Sequence, residues 1–440
     1  MRNLFILLLV LLSYLHCFAQ TTDDEKYEQA RNYYEAKDYN KAYPILIELA
    51  DKNHTKALNL LGVFYNYGYI VPKNMQKAVE LYQKSANFGW RLAQRNLGIC
   101  YERGEGVPAN MEKAYAWYDK SFRQYKELAE KGDADAQLEM GVFFYYGRIR
   151  SGKNYLAALS WFEKSAHQGN CEALNLLGIM YHSSYGVEKD LNKALEYYTK
   201  AAERGNIIAM NNLGWLYRSD EYQELHSDLD YNYKQAEKWY RLAAKDNNAE
   251  GLYNLAWFYL DTYPGSPIDK RVEKSAPYFE KAAKLGYGYA QIAVGYADMR
   301  EKKYNSALKW FDMALKNDCK ESCFNLSIST WITICKFFIE NSTYTFYWDM
   351  DCCDFGHVTY EEKDYIYVGA TSNNKFGFLK LSKTGVILGK TPFIYDGDKT
   401  FPFYDKETKL FHVTLKKDGE EYGHEITIDI TGKEVDNKKK

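Results

Sequence analysis

Proline and long apolar segments are scarce in this chain of 440 residues, and charge of either sign is not in excess. Only eight prolines are present, which favours long helices over a loop-rich fold, because proline interrupts helical hydrogen bonding. The 57 basic and 59 acidic residues leave a formal net charge of −2. This balance excludes a strong nucleic-acid footprint and gives no reason to expect polybasic membrane binding.

Sequence signatures of catalysis are also missing. The chain has no zinc-protease signature, no phosphate-cradling loop and no dinucleotide fingerprint, and its histidines are scattered. Ser306 and Ser372 each precede a lysine by three residues, and Lys383 begins a Lys-Thr-Gly triplet, which imitates a penicillin-recognising serine site. No Ser-Asp-Asn element lies between either serine and Lys383. We therefore expect no catalytic residue, no metal and no cofactor.

The amino-terminal segment is the longest apolar stretch. Arg2 precedes nine apolar residues from Leu4 to Leu12, and cleavage after Ala19 would follow a small-x-small pattern. These features predict a secretory signal peptide over residues 1–19, with lipid attachment at Cys17 as the alternative. No integral membrane segment is predicted elsewhere, so we expect an exported protein that is periplasmic or secreted.

One phrase recurs along the chain: alanine, leucine four residues later, then glycine, then an aromatic residue three positions on. The glycine position is occupied by Gly62, Gly98, Gly141, Gly178, Gly214, Ala256 and Gly295, which lie 36 to 43 residues apart. A second phrase follows each first one, as in Ala78, Tyr82 and Ala86. Spacings of four, seven and eight place these residues on single helix faces. Each unit is therefore predicted to be a helix pair, and the array an α-solenoid.

The repeats fix the predicted domain organisation. We place a solenoid domain over residues 20–340, with a shorter helix pair over 25–51 as an N-terminal cap. The repeats are expected near 54–89, 90–125, 133–169, 170–205, 206–246, 248–286 and 287–317.

The best copies resemble a known repeat family. Residues 91–121, with Leu97-Gly98, the Gly104-Glu105-Gly106-Val107 loop and Trp117-Tyr118, look like a Sel1-like repeat of the tetratricopeptide-type superfamily. Residues 172–205 are an equally good copy, and the resemblance covers roughly 54–316. It implies a mainly α, right-handed α-solenoid that acts as an adaptor in larger assemblies. The disulfide within each unit of some family members does not carry over, because Cys100 and Cys171 lack partners within their units.

The carboxyl-terminal part of the chain changes period. Short alternating runs, such as 364–368, 375–381 and 409–415, are separated by turn residues. They predict a small antiparallel β module over 344–436. The run from Asn374 to Phe378, followed by the run from Lys383 to Ile387, weakly resembles a Trp-Gly-type β repeat.

Five cysteines cluster late in the chain: Cys319, Cys323, Cys335, Cys352 and Cys353. Because an exported protein meets an oxidising compartment, we expect one or two structural disulfides among them. The alternatives are free buried thiols and a zinc site that includes His357.

The binding surface is predicted from the repeat geometry. If the pairs stack as in the tetratricopeptide superfamily, first helices line the concave side of the solenoid. The third residue before and the fourth residue after each repeat glycine then project into the groove, since they are seven apart on one face. The hydrogen-bonding side chains at these positions are Asn59, Asn66, Arg95, Glu102, Tyr145, Asn175, His182, Asn211 and Arg218. Asparagine and arginine suit an extended peptide, held by its backbone amides or its carboxylate.

We therefore predict a non-catalytic scaffold that holds a protein or peptide partner in this groove. One alternative is an envelope glycan or peptidoglycan binder associated with the cell wall, with Tyr222, Tyr231 and Tyr233 as stacking platforms. The other is a β-lactamase-like hydrolase acting through Ser306 or Ser372.

Overall fold

A computed structural model describes residues 22–261, 267–317, 319 and 328–340, together with ten strand segments between 345 and 439. The chain divides into two compact units, Met1–Ala209 and Met210–Lys440. The predicted signal peptide over residues 1–19 lies outside the described residues.

The first unit is a succession of antiparallel helix pairs. Its helices are α1 (22–35), α2 (Tyr39–Asp51), α3 (Thr55–Tyr67), α4 (Met75–Asn87), α5 (Arg91–Arg103), α6 (Met111–Glu130), α7 (Ala134–Tyr146), α8 (Tyr155–His167), α9 (Cys171–Ser183) and α10 (Leu191–Glu203). Short polar side chains begin the second helices, because their oxygens accept a hydrogen bond from an otherwise unpaired amide of the first turn. The residues in this role are Asn74, Asn110, Asn154 and Asp190.

The repeat glycines allow the two helices of a pair to approach closely. A Cβ atom on Gly98 would lie 2.4 Å from a ring carbon of Tyr118, and one on Gly178 would lie 2.5 Å from the ring of Tyr198. Both tyrosines are buried on the second helix of the same repeat. The ring therefore occupies the space that any larger residue at the glycine position would need.

The second unit continues the helical pattern. Its helices are α11 (Ile207–Arg218, which contains the boundary between the units), α12 (Asp220–Leu225), α13 (Leu229–Ala243), α14 (Ala249–Asp261), α15 (Ile268–Lys284), α16 (Gly288–Arg300), α17 (Tyr304–Lys316) and α18 (Ile328–Glu340). A single 3₁₀ turn, Lys245–Asn247, precedes α14. Helix α12 forms within a tyrosine-rich insertion of this repeat, residues 219–231, where Ser219 caps it by accepting a hydrogen bond from the Tyr222 amide.

The last part of the chain carries short strands in antiparallel pairs. They are β1 (Thr345–Phe346), β2 (Thr359–Glu361), β3 (Tyr365–Ser372), β4 (Lys375–Ser382), β5 (Ile387–Lys390), β6 (Tyr395–Asp396), β7 (Lys399–Asp405), β8 (Leu410–Lys416), β9 (His424–Ile428) and β10 (Glu434–Lys439). One sheet runs β1-β3-β4-β5, with β2 also pairing with β3 and β6 with β4. The other sheet runs β10-β9-β8-β7.

Candidate protein-binding face

The asparagines that stand three residues before a repeat glycine are more buried than the sequence indicated. Asn59, Asn175 and Asn211 are only 7%, 4% and 7% exposed. In the first unit, Asn96 on α5 donates a hydrogen bond from Nδ2 to Oδ1 of Asn59 on α3, over 3.1 Å. Asn96 is the second residue before its own glycine, so the contact joins two successive first helices. We call such a contact an inter-repeat rung.

A charged rung follows in the next repeat. The guanidinium of Arg95 on α5 pairs with the carboxylate of Glu139, the second residue before the glycine of α7. Burial alone would lower the pKa of Arg95, but the neighbouring Glu139 carboxylate raises it above its ordinary value. Leu138 and Leu176, which hold the corresponding positions one repeat further on, share an apolar cluster. The contacts between successive first helices at these positions are therefore of three kinds: between two amides, between two opposite charges, and between apolar side chains.

The fourth residues after the repeat glycines contact the buried ring of their own repeat. Asn66 hydrogen-bonds the Tyr82 hydroxyl, and the Tyr118 hydroxyl donates to a Glu102 carboxylate oxygen. His182 Nδ1 lies 3.5 Å from the Tyr198 hydroxyl. In the second unit, Arg218 hydrogen-bonds Tyr240.

Repeats with a phenylalanine ring have a different residue at this position. Tyr145 packs on Phe162 with ring centroids 6.2 Å apart. In the repeats of Phe279 and Phe311 the position is held by Leu260 and Met299. Four of the polar side chains predicted for a groove therefore hydrogen-bond the hydroxyls of buried tyrosines: Asn66, Glu102, His182 and Arg218.

A second charged residue completes the Tyr118 site. Arg148 follows α7, is 8% exposed, and places its Nε 3.4 Å from Glu102. Its guanidinium lies 5.7 Å from the centroid of the Tyr118 ring. Burial, followed by the hydrogen bond to Glu102, raises the pKa of Tyr118 well above its usual range. The hydroxyl is therefore held as a donor rather than as a nucleophile or base.

Several buried polar atoms on the first helices of the repeats have no hydrogen-bond partner within the described part of the chain. They are Nε of Arg91, Nε of Arg95, Oε2 of Glu139, and both Nδ2 and Oδ1 of Asn211. Arg91 and Arg95 are one turn apart on α5, and the Arg91 guanidinium also lies 4.9 Å from the Trp90 ring and 5.4 Å from the Tyr125 ring. Buried polar atoms without partners are rare in native proteins.

Some residues of this face were missed by sequence reasoning. Asn96 and Glu139 form the rungs, and each stands at the second position before its repeat glycine. The phrase used to find the repeats contains that position, but spacing within one repeat does not reveal which residue of the next repeat lies beside it.

The structure also locates the residues of the alternative hypotheses. Tyr222 is 4% exposed and stacks on His226 with centroids 4.1 Å apart, so it offers no open ring face to a glycan. Tyr231 is 51% exposed, and Tyr233 is partly buried. The Ser306 hydroxyl donates to Asp298 Oδ2 over 2.5 Å. The side chain of Ser372 lies outside the described part of the structure.

The late cysteines are described in part. Cys319 and Cys335 are buried in one apolar cluster, and burial raises the pKa of the Cys335 thiol to about 12. Cys323, Cys352, Cys353 and His357 lie outside the described residues, so the predicted disulfides stay a prediction. No group of three metal-ligating side chains is found within the described ranges. The helices in those ranges are also too short or too polar to cross a membrane.

Comparison with known proteins identifies the family. The Sel1 repeat model matches seven segments: 55–87, 91–125, 134–170, 171–206, 207–248, 249–287 and 288–319. Together they cover more than half of the sequence, so the chain belongs to the Sel1 repeat family. The resemblance stated from the sequence is thereby confirmed.

Individual relatives cover parts of the chain. It is similar to a Sel1 repeat protein from Oxalobacter formigenes, with 32% identity, 58% of this chain and 96% of that chain covered, and a TM-score of 0.40. It is also 27% identical over 132 residues to the ERAD-associated E3 ubiquitin-protein ligase component HRD3B of Arabidopsis thaliana, and 34% identical over 58 residues to HRD3A. These matches cover 30% and 13% of this chain, and 14% and 9% of the relatives' lengths.

Proposed function

We propose that this chain is an exported, non-catalytic scaffold that holds a partner protein or an extended peptide on the face formed by its first helices. Sel1 repeat proteins are protein-interaction scaffolds, and HRD3B is by its name a component of a ligase assembly. The proposal keeps residues 344–436 as a small β module that follows the solenoid.

The observation that carries the proposal is the set of polar atoms without partners on α5 and α7. Arg91, Arg95 and Glu139 keep two N–H donors and one carboxylate oxygen without hydrogen bonds among the described residues. Leaving such groups unpaired costs stability, and a bound polypeptide supplies both carbonyl acceptors and amide donors. These atoms are closed to solvent in the free chain, so we propose that their side chains turn outward on binding, where a peptide main chain satisfies them better than an apolar ligand does.

Affinity capture from an envelope extract of the source cells tests the proposal. The bait is the full exported chain, compared with a variant carrying Arg91→Ala, Arg95→Ala and Glu139→Ala. The matched control carries Lys120→Ala, Lys164→Ala and Glu130→Ala, which removes the same charges from exposed positions on second helices. We expect a discrete protein that is retained by the parent and the control and lost by the first variant, with helicity unchanged by circular dichroism.

If all three baits retain the same protein equally, the first-helix face is not the surface that binds it. Absence of any retained protein would count against the scaffold role itself.

Export is tested separately, by fractionation and amino-terminal sequencing. A mature protein that begins at Gln20 in the periplasm or the medium supports the proposal. Incorporation of labelled fatty acid at Cys17 would instead show the lipid-anchored form, and retention of residues 1–19 in the cytoplasm would contradict export.

A further inference from the structure

Three successive first helices of the first unit end in an exposed side chain at the same repeat position. The last residue of α3 is Tyr67, that of α5 is Arg103 and that of α7 is Tyr146, and each is the fifth residue after its repeat glycine. Tyr67 is 64% exposed, Tyr146 is 50% exposed, and the side chain of Arg103 is 58% exposed. The inter-repeat rungs hold these helices side by side, so the guanidinium stands between the two rings. We call these three residues the tyrosine–arginine row.

Each ring of the row has one face covered and is thereby fixed in place. Tyr67 stacks on Tyr69 with ring centroids 5.5 Å apart and 16° between the planes, and Tyr69 stacks in turn on Tyr39 at 4.3 Å and 13°. The guanidinium of Arg148 lies 4.8 Å from the centroid of the Tyr146 ring. The exposed area of each ring therefore lies on its other face and its rim. A ring fixed in this way binds a flat ligand at little cost in side-chain entropy.

The loops that follow the three helices make the row basic. Residues 66–74, 102–110 and 145–154 contain five basic side chains against two acidic ones, in a chain whose net charge is −2. The basic residues are Lys73, Arg103, Arg148, Arg150 and Lys153. Two arginines of the third loop already pair with glutamates, whereas Arg103 comes no closer than 3.9 Å to Glu105. Arg103 is therefore placed to bind a carboxylate of a ligand through two parallel hydrogen bonds.

The chemistry of the row identifies a class of ligand. The face of an aromatic ring carries partial negative charge and attracts the slightly positive C–H groups on one side of a pyranose ring. A carboxylate on a neighbouring sugar would pair with the guanidinium. Packed helices lie about 8–10 Å apart, so the two rings are separated by roughly 16–20 Å with the positive charge between them. A ligand that reaches all three side chains must therefore be elongated.

A folded protein fits the row less well than a polysaccharide does. The residues that dominate protein interfaces cluster in a desolvated centre, surrounded by contacts that exclude water. Here a charged side chain separates the two rings, and the same position in the next repeat is Ser183, which is exposed. The row therefore suits a chain that contacts the protein at intervals and stays hydrated between them.

We propose that Tyr67, Arg103 and Tyr146 form a binding site for an acidic polysaccharide that contains uronic acid residues. One sugar ring stacks on Tyr67 and another on Tyr146, and a carboxylate between them pairs with Arg103. This site is separate from the proposed function, because it uses the exposed ends of the first helices rather than the buried polar atoms of α5 and α7, and it takes a different class of ligand.

Direct binding measurements with defined oligomers test the site. The probes are oligogalacturonate and hyaluronan oligomers long enough to span both rings, a malto-oligosaccharide of equal length as the neutral counterpart, and oligo-glutamate as the acidic peptide. The full exported chain is compared with Tyr67→Ala, Tyr146→Ala and Arg103→Gln. The matched controls are Phe88→Ala, which removes another exposed ring, and Arg241→Gln, which removes another exposed charge.

We expect at least one acidic oligosaccharide to bind the parent and both controls more tightly than the neutral oligosaccharide or the peptide does. Tyr67→Ala and Tyr146→Ala should each weaken that binding about fivefold, because a stacking surface is lost. Arg103→Gln should weaken it about tenfold or more, because a charge-assisted hydrogen bond is lost. Tyr67→Phe keeps the ring and should bind like the parent. Added salt should weaken binding by the parent more than binding by Arg103→Gln.

Three results would overturn the site. Neither acidic oligosaccharide binds the parent, or the three variants bind like the parent at equal helicity by circular dichroism. In the third, oligo-glutamate binds as tightly as the sugars and the two tyrosine variants leave binding unchanged, which would assign the row to charge alone. The affinity capture described above reports on the scaffold role, so failure of either proposal leaves the other standing.

Discussion

The Tyr118 hydroxyl donates a hydrogen bond to Glu102, which joins the second helix of a repeat to its first. The same pairing of a tyrosine with a hydrogen-bonding residue recurs with Asn66, His182 and Arg218. Repeats whose ring is phenylalanine carry Tyr145, Leu260 or Met299 instead. The ring and the fourth residue after the glycine therefore behave as one matched element.

Replacing one member of such a pair is expected to destabilise the chain. Asn66→Leu removes a hydrogen-bond partner of the hydroxyl of Tyr82, a residue that is 1% exposed. An unsatisfied buried hydroxyl costs about 1–3 kcal/mol. In the double variant Asn66→Leu/Tyr82→Phe, which recreates the pairing of Leu260 with Phe279, we expect most of that loss to be recovered. Urea denaturation measures the free energies of unfolding, and purely additive effects would contradict the pairing.

The Gly98 position is predicted to reject even a methyl group. In Gly98→Ala, the new Cβ would meet the Tyr118 ring at 2.4 Å, and overpacking of this kind costs about 1–3 kcal/mol. Tyr118→Leu removes the ring, so the double variant should lose less stability than the sum of the single variants. A Gly98→Ala protein as stable as the parent would show that the helices separate at little cost.

A single loop substitution is predicted to stabilise the first repeat. Ile70 has a φ of 53° and is 48% exposed, whereas Gly106 and Gly186 hold the equivalent position in other repeats at φ near 70°. A left-handed backbone costs a residue with a Cβ about 1–2 kcal/mol. Ile70→Gly should therefore raise the free energy of unfolding by roughly 0.5–1 kcal/mol. The gain is smaller than the relieved strain because glycine increases the conformational entropy of the unfolded chain.

The control for this prediction is Gly106→Ala. Its Cβ would lie 2.5 Å from the Met75 carbonyl oxygen, and its φ is 73°. This variant should be clearly less stable than the parent, and a loss of stability in Ile70→Gly would show that Ile70 makes contacts that outweigh its strain.

The chain is predicted to unfold in alkali. Burial raises the pKa of Tyr27 and Tyr145 to about 12 and that of Tyr82, Tyr118 and Tyr198 further, from an ordinary value of 10.0. Below pH 10 these tyrosines are protonated in both the folded and the unfolded state, so they add no pH dependence to the free energy of unfolding. Above pH 10 the unfolded state loses protons first, so stability falls as pH rises, by up to about 1.4 kcal/mol per pH unit for each such tyrosine.

Tyrosinate absorbance and circular dichroism, followed together between pH 9 and about 13, measure this effect. We expect a group of tyrosines to ionise only as the helical signal is lost. Ionisation of all tyrosines near pH 10 in a folded chain would contradict the burial of their hydroxyls.

The charged rung should contribute more than an exposed ion pair. Glu139→Ala leaves Arg95 partly buried without its carboxylate, and after allowance for its remaining exposure we expect a loss of about 1–3 kcal/mol. Glu112→Ala breaks an exposed pair with Arg150, at 3.0 Å, and should change stability by less than about 1 kcal/mol. Adding 1 M salt during the denaturation should leave the difference between the two variants largely intact, because buried pairs are screened little.

The sequence predicted the features that lie within one repeat. The glycine stands in the first phrase of a repeat and the ring in the second, so the helix pair that carries Gly98 and Tyr118 followed from spacing. Contacts between repeats did not follow, because repeats of unequal length leave the register of neighbouring helices open. Burial of Asn59, its bond to Asn96 and the unpaired amide of Asn211 depend on that register. Burial of Tyr222 depends on α12, a short helix in the insertion with no counterpart in other repeats.

The tyrosine pairs also bear on how such a chain gains or loses repeats. When a repeat is duplicated, the copy contains both the buried ring and the polar or apolar residue that contacts it, so no tyrosine hydroxyl is left without its hydrogen-bond partner. The inter-repeat rungs behave in the opposite way, because each belongs to two repeats and a new neighbour can leave half of it without a partner. The packing within a repeat therefore does not limit the number of repeats. Every new junction between repeats, in contrast, is a place where an unpaired polar group, and with it a new recognition site, can arise.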